Sequence, residues 1–164
     1  MLTSHELFGF MPADLSNDIL EFAFENEREL YKATSTSVAN ARKVRPVFFE
    51  RQPRSERNKQ MAVTLGKPGQ ELAAGTLLRT WLLKKHKSLL IDFLDGLGIP
   101  HKEGTVDDLP ATVDNLKLKN AIETILQKHP SPVVAVYLNA FSAMNETKWP
   151  NLDAALQSDK RLQF

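Results

Sequence analysis

Apolar residues follow a helical period through most of this chain. In the N-terminal third they recur at steps of three and four residues, and the same spacing returns between Leu72 and Leu97. Such spacing gathers apolar side chains on one face of a helix. No segment shows the two-residue alternation that is typical of a strand. The pattern predicts an all-α fold, a compact bundle of six or seven helices.

Prolines and weak helix formers set the predicted bounds in the first half of the chain. The first apolar stripe runs from Leu15 to about Lys43, and the poor helix former Asn26 predicts one kinked helix or two in series. Pro46 and Pro53 bracket residues 47–52, which we interpret as an extended connector that docks on the core. A short helix follows and ends at about Gly66.

The strongest stripe predicts one long central helix over about residues 69–97, closed by glycines and Pro100. Residues 98–113 are predicted as a loop. Asp114 caps the next helix, Ser131-Pro132 starts another, and Asn151 caps a short last one. We expect a single helical domain over residues 1–164, with a subdivision into 1–66 and 67–164 as the alternative.

Composition narrows the classes of function. The chain has 164 residues, of which 42% are hydrophobic, and it has no Cys. The missing Cys excludes a disulfide scaffold, a thiolate zinc site, an iron–sulfur cluster and a Cys nucleophile. No secretory signal and no apolar stretch of about 20 residues is visible, so we predict a cytoplasmic protein without a membrane partner.

The net charge of +1 conceals a strong asymmetry. Residues 1–31 carry seven acidic groups and one basic group, residues 32–87 carry thirteen basic and three acidic groups, and residues 88–164 carry seven basic and ten acidic groups. The basic density is highest over residues 42–59. We therefore predict a binding surface made by the arginines of this segment, which are Arg42, Arg45, Arg51, Arg54 and Arg57.

Two kinds of partner fit these arginines. An acidic patch on a partner protein would pair with their guanidinium groups. A nucleic acid would offer phosphates to the same groups and bases to Phe48 and Phe49. The alternative is internal: Glu21, Glu25, Glu27 and Glu29 neutralise the basic segment, and the two Phe side chains anchor it in the core.

A second pattern joins Arg79 and His86, seven residues apart on the predicted long helix. The pair resembles the catalytic Arg and His of HEPN-type ribonucleases, which also lie on a helix of an all-α domain. The resemblance covers residues 79–86. It implies phosphate stabilisation by Arg79 and acid–base chemistry by His86. The alternative is a histidine at the edge of the core.

The sequence offers few other candidate metal-binding or interaction sites. The loop residues His101, Glu103, Asp107 and Asp108 lack the spacing of a calcium loop, and no zinc-binding helix motif occurs. Trp149 is either an exposed anchor for a partner or a clamp for the last helix. We assign no metal, no cofactor and no committed catalytic residue. The favoured hypothesis is a non-catalytic helical module that binds a partner protein; a nucleic-acid-binding module and a ribonuclease are the alternatives.

Overall fold

The computed structural model describes residues 1–164, and all regular structure in it is helical. The helices are α1 (Ser4–Phe10), α2 (Ala13–Asn26), α3 (Arg28–Ala41), α4 (Pro46–Glu50), α5 (Arg54–Leu65), α6 (Glu71–Lys85), α7 (Lys87–Gly96), α8 (Asn115–Lys128), α9 (Ser131–Met144) and α10 (Pro150–Ser158). The predicted all-α class is confirmed. The count is ten α-helices instead of six or seven.

Two single-residue breaks account for part of the difference. Glu27, at φ −136° and ψ 61°, divides the first stripe into α2 and α3, the two helices in series that Asn26 indicated. His86, at φ −119° and ψ 31°, divides the predicted 69–97 helix into α6 and α7. The backbone N–H of His86 still donates to Leu82, and its carbonyl still accepts from Leu89, both at 3.0 Å. The spacing of apolar residues continues unchanged across His86, so it could not reveal this break.

The predicted extended connector is wrong, because residues 46–50 form the short helix α4. Arg45 is extended (φ −62°, ψ 131°), as the residue before a proline prefers, and Pro46 opens the helix at its first position. The single turn buries Phe49 completely. Burial of this one ring supplies the packing that the five-residue helix needs.

The chain divides into two compact units, and the boundary falls within α6. The N-terminal unit is Thr3–Trp81 together with Phe164. In it, α5 packs against α1, α2 and α3, and α3 also packs against α4. The buried face of α5 carries Arg57, Met61, Thr64 and Leu65 at helical spacing.

The C-terminal unit is Leu82–Gln163 together with Met1–Leu2. In it α7 packs on α8, and α9 lies against α8 and α10. Every residue from Val133 to Ala140 of α9 is buried. Phe93 contacts Tyr137 and Phe141 edge to face, with ring centroids 5.5 Å apart in both pairs. These rings form the centre of this unit.

Trp149 belongs to the same core. Its side chain is 2% exposed and its ring lies 5.2 Å from that of Phe141. The indole N–H donates to the carbonyl of Pro110 at 2.9 Å, which ties the loop before α8 to the start of α10. The structure therefore supports the clamp, and not the exposed anchor.

Candidate interaction surface

The turn from α3 into α4 exposes a set of cationic and apolar side chains. After α3, Arg42 caps the helix and Lys43 takes the left-handed conformation (φ 57°). The N–H of Val44 then donates to Ala39 at 2.9 Å, which satisfies a carbonyl of the last turn. This position usually holds Gly, because a side chain at positive φ is strained. Lys43 therefore places a positively charged side chain at a position where the backbone conformation favours Gly.

The two adjacent phenylalanines of α4 have opposite environments. Phe49 is 0% exposed, whereas Phe48 and its neighbour Val47 are each 51% exposed. The guanidinium of Arg51 lies 5.8 Å from the Phe48 ring centroid, within the range of a cation–π contact. One of the two rings is thus a core anchor, and the other is available to a ligand. We name the exposed set the α4 surface: Arg42, Lys43, Arg45, Val47, Phe48 and Arg51.

The cations of the α4 surface have no carboxylate partner. Arg45 and Arg51 are exposed and form neither an ion pair nor a side-chain hydrogen bond. Arg42 donates only to the hydroxyl of Thr64, at 3.4 Å. Unpaired like charges in one segment raise the local positive potential. The α4 surface is therefore electrostatically suited to an anionic partner.

Arg54, the fourth predicted binding residue, is used within the fold. Its Nε lies 3.2 Å from Oε1 of Glu21, and its guanidinium lies 4.2 Å from the centre of the Phe24 ring. Arg28 lies 3.9 Å from the same ring centre. Glu25 and Glu29 are exposed and form no ion pair. Of the predicted ion pairs between the acidic helices and the basic segment, the structure contains the one between Glu21 and Arg54.

Arg57 is placed inside the N-terminal unit and is 9% exposed. Its Nε donates to the Tyr31 hydroxyl at 3.0 Å, and its Nη1 donates to the carbonyl of Glu50 at 2.6 Å. The Tyr31 hydroxyl donates in turn to Asn58 at 2.6 Å. Arg57 thus joins α4 to α3 and α5. The signal for this role is in the sequence, because Arg57 shares a helix face with Met61 and Leu65.

The ribonuclease pair does not share one uninterrupted helix. Arg79 is exposed on α6, whereas His86 is half-buried at the break that follows this helix. The prediction placed both side chains on one face by assuming regular helical geometry over residues 79–86. In the structure, regular helical geometry extends from Arg79 only to Lys85. The assignment of Arg79 and His86 as a catalytic pair stays a prediction.

The other three histidines each contact one carboxylate, a feature that sequence analysis missed. His129 Nε2 lies 2.8 Å from Asp92, and His101 Nε2 lies 2.7 Å from Asp95. The partners are separated by 37 and 6 residues, so only the fold brings them together. No group of three or more such side chains is arranged to hold a metal ion. The His101 pair connects α7 to the loop after it, and the His129 pair connects α7 to the residue that follows α8.

The third pair fixes the start of α1. Oε1 and Oε2 of Glu71 accept the backbone N–H groups of Ser4 and His5 at 3.0 and 2.9 Å, and the His5 ring Nδ1 lies 2.5 Å from Oε2. Glu71 thereby satisfies N–H groups that the first turn of a helix leaves open. Burial opposes its ionisation, but the hydrogen bonds from His5 and Ser4 outweigh it and lower the pKa of Glu71.

This lowered pKa predicts a dependence of stability on acid. A carboxyl with a depressed pKa in the folded state contributes stability above its unfolded pKa of about 4.3, and the contribution is lost as the pH falls through the folded pKa. We expect Glu71→Gln to flatten the fall in unfolding free energy between about pH 5 and pH 3. Urea unfolding at several pH values measures this pH dependence of the unfolding free energy. Glu25→Gln is the control and leaves the slope unchanged; equal slopes for Glu71→Gln and the wild type would contradict the assignment.

None of the ten helices has the length and apolar character that a membrane span requires. The sequence matches no known protein family, and no curated protein and no solved structure is similar to it.

Proposed function

We propose that this chain is a non-catalytic, cytoplasmic interaction module that binds an acidic segment of a partner protein through the α4 surface. The observation that carries the proposal is the exposure of Phe48 and Val47 between Arg45 and Arg51, two arginines without an ion pair. Aromatic side chains and Arg are enriched in protein interfaces, where they supply much of the binding free energy. The surface combines both on one short helix.

The same features define the partner. Two neighbouring apolar side chains call for apolar groups on the partner, and the surrounding cations call for carboxylates. A segment in which Leu or Phe alternates with Asp and Glu meets both requirements. The left-handed backbone of Lys43 supports this proposal. A glycine at this position would remove the backbone strain, but it would also remove one cation from the α4 surface.

A library selection tests the proposal with a defined probe. Random peptides of sixteen residues are displayed on phage and selected on the full-length chain at low salt. We expect enriched sequences to carry several Asp or Glu residues beside at least one Leu, Ile or aromatic residue. Enrichment of neutral or basic peptides, or no enrichment at all, would overturn the proposal.

A charge-reversal pair locates the site. We expect Arg45→Glu with Arg51→Glu to weaken the best selected peptide at least about tenfold, because attraction becomes repulsion. Phe48→Ala is expected to weaken it by about the same factor through the loss of its apolar contact. The matched control, Lys32→Glu on α3 with Lys67→Glu in the turn after α5, makes the same change in net charge and should stay within about twofold of the wild type. Equal losses for both charge reversals would contradict a specific site.

Nucleic acid is the second candidate, favoured by the cation–π contact of Arg51 with the exposed Phe48 ring. Titration of a labelled 20-nucleotide RNA at 50 and 200 mM salt distinguishes the two. A steep loss of affinity with salt, abolished by the Arg45→Glu and Arg51→Glu pair, would favour this candidate if no acidic peptide is selected. Retention of peptide binding together with weak RNA binding favours the protein partner.

A further inference from the structure

A second feature of the N-terminal unit is a groove bordered by α1, the start of α2 and α5. Its volume is about 730 Å³, which lies in the range of small-molecule sites. Its apolar lining comes from both of its long sides, namely Phe8, Met11, Ala13, Ala62 and Val63. The groove shares no residue with the α4 surface.

Two glycines hold the walls of this groove together. Gly9 of α1 and Gly66, which follows α5, both line it. A Cβ atom on Gly66 would lie 3.2 Å from the Cα of Gly9, closer than an ordinary contact, so the two backbones approach each other closely here. This contact fixes the separation of α1 and α5. The groove is therefore a preformed part of the fold.

The polar side chains of the groove include several hydrogen-bond donors and no acidic group. Lys59 and Lys67 line it and form no ion pair, and no Asp or Glu is among the lining residues. The Ser55 hydroxyl and the side-chain amide N–H₂ of Asn17 also line it and donate to no other group of the chain. Ammonium, hydroxyl and amide donors together suit a carboxylate or sulfonate.

The carboxylate that is hydrogen-bonded to a lining residue of the groove, Glu21, is compensated. Asn58 lines the groove, and its Nδ2 donates to Oε1 of Glu21 at 3.0 Å and to the side-chain Oδ1 of Asn17 at 3.3 Å. Glu21 is also paired with Arg54. Its negative charge is thus offset by a cation and a donor of the fold. An incoming anion meets the positive potential of the two lysines.

We infer that this groove binds a small organic anion with an apolar body, of the size of an aromatic acid with two or three rings. The apolar body lies against Phe8, Met11 and Ala62. The anionic head lies at Lys59, where Ser55 and Asn17 supply further donors. The lysines favour this class over neutral apolar molecules, which gain no charge attraction in the groove.

Two fluorescent probes with almost the same rings test the inference. 8-Anilinonaphthalene-1-sulfonate carries the anion, and N-phenyl-1-naphthylamine lacks it. We expect one molecule of the sulfonate to bind per chain, at least about tenfold more tightly than the neutral probe. Equal affinity of the two probes, or a stoichiometry well above one, would overturn the inference.

Two variants at the groove and two controls assign the binding to this site. Ala62→Trp fills it, and we expect both probes to lose at least about tenfold in affinity. Lys59→Glu is expected to weaken the sulfonate by a similar factor and the neutral probe by less than about twofold. Lys32→Glu, an equal charge change on α3, and Leu116→Ala, which shortens an exposed apolar side chain of α8, should leave both affinities unchanged. Loss of sulfonate binding in either control, or retention in Ala62→Trp, would contradict the site. Circular dichroism of each variant confirms that the helices are retained.

Discussion

Replacing Arg57 by Ala is expected to lower the free energy of unfolding by about 3 kcal/mol. The guanidinium is 9% exposed and donates to Tyr31, to Glu50 and to the carbonyl of Gln52. Without it, the buried Tyr31 hydroxyl and the two partly buried carbonyls lose a charged donor, and a cavity replaces the side chain. Because Arg57 joins the carbonyl end of α4 to α5, the variant also loosens α4.

Urea unfolding followed by circular dichroism measures this loss. Arg51→Ala is the matched control, since it removes an equal charge from an exposed position and is expected to change stability by less than about 0.5 kcal/mol. Arg57→Lys keeps the charge but cannot reach the same acceptors with a planar group, so we expect an intermediate loss. If Arg57→Ala is as mild as Arg51→Ala, the internal role of Arg57 is wrong.

The largest loss is expected in the C-terminal unit, where Trp149→Ala should cost about 4 kcal/mol. The indole is buried against Phe141 and donates to Pro110. Its removal leaves a cavity beside the aromatic cluster and frees the loop that precedes α8. A stability loss of this size is close to the lower end of domain unfolding free energies, about 5–15 kcal/mol.

A conservative variant keeps this prediction measurable if Trp149→Ala does not fold. Trp149→Phe retains an aromatic ring but loses the hydrogen bond to Pro110, and we expect it to cost about 1–2 kcal/mol. Leu116→Ala removes an exposed apolar side chain from α8 and is expected to stay within about 0.5 kcal/mol of the wild type. Thermal unfolding of the three variants at one protein concentration gives the comparison. Similar midpoints for Trp149→Ala and Leu116→Ala would contradict the clamp.

The class of fold was predictable because each long helix buries one face. Period and caps gave the all-α class, the end of α5 before Gly66 and the Asp114 cap, whose carboxylate accepts the N–H of Lys117 at 3.0 Å. Helix α4 was not predictable from period, because a single turn is shorter than the repeat that defines a face. Its formation depends on tertiary burial of Phe49.

The candidate site was predictable as a segment and not residue by residue. Charge density identifies residues 42–59, but charge alone cannot distinguish the exposed Arg51 from the buried Arg57. The helical position of Arg57 relative to Met61 was the available signal. The separation of Phe48 from Phe49, and the pairing of Arg54 with Glu21, depend on how α2, α3 and α5 meet, which no local pattern contains.

The central claim is that the α4 surface is where a partner binds, and backbone hydrogen exchange with and without the best selected acidic peptide tests it most directly. In the free chain the amides of Phe48 and Phe49 donate only to the carbonyl of Arg45 in a single exposed turn, so we expect them to exchange early. Bound peptide is predicted to slow exchange over residues 42–51 and to leave α8, α9 and α10 unchanged. Protection that lies elsewhere and spares residues 42–51 would contradict the claim.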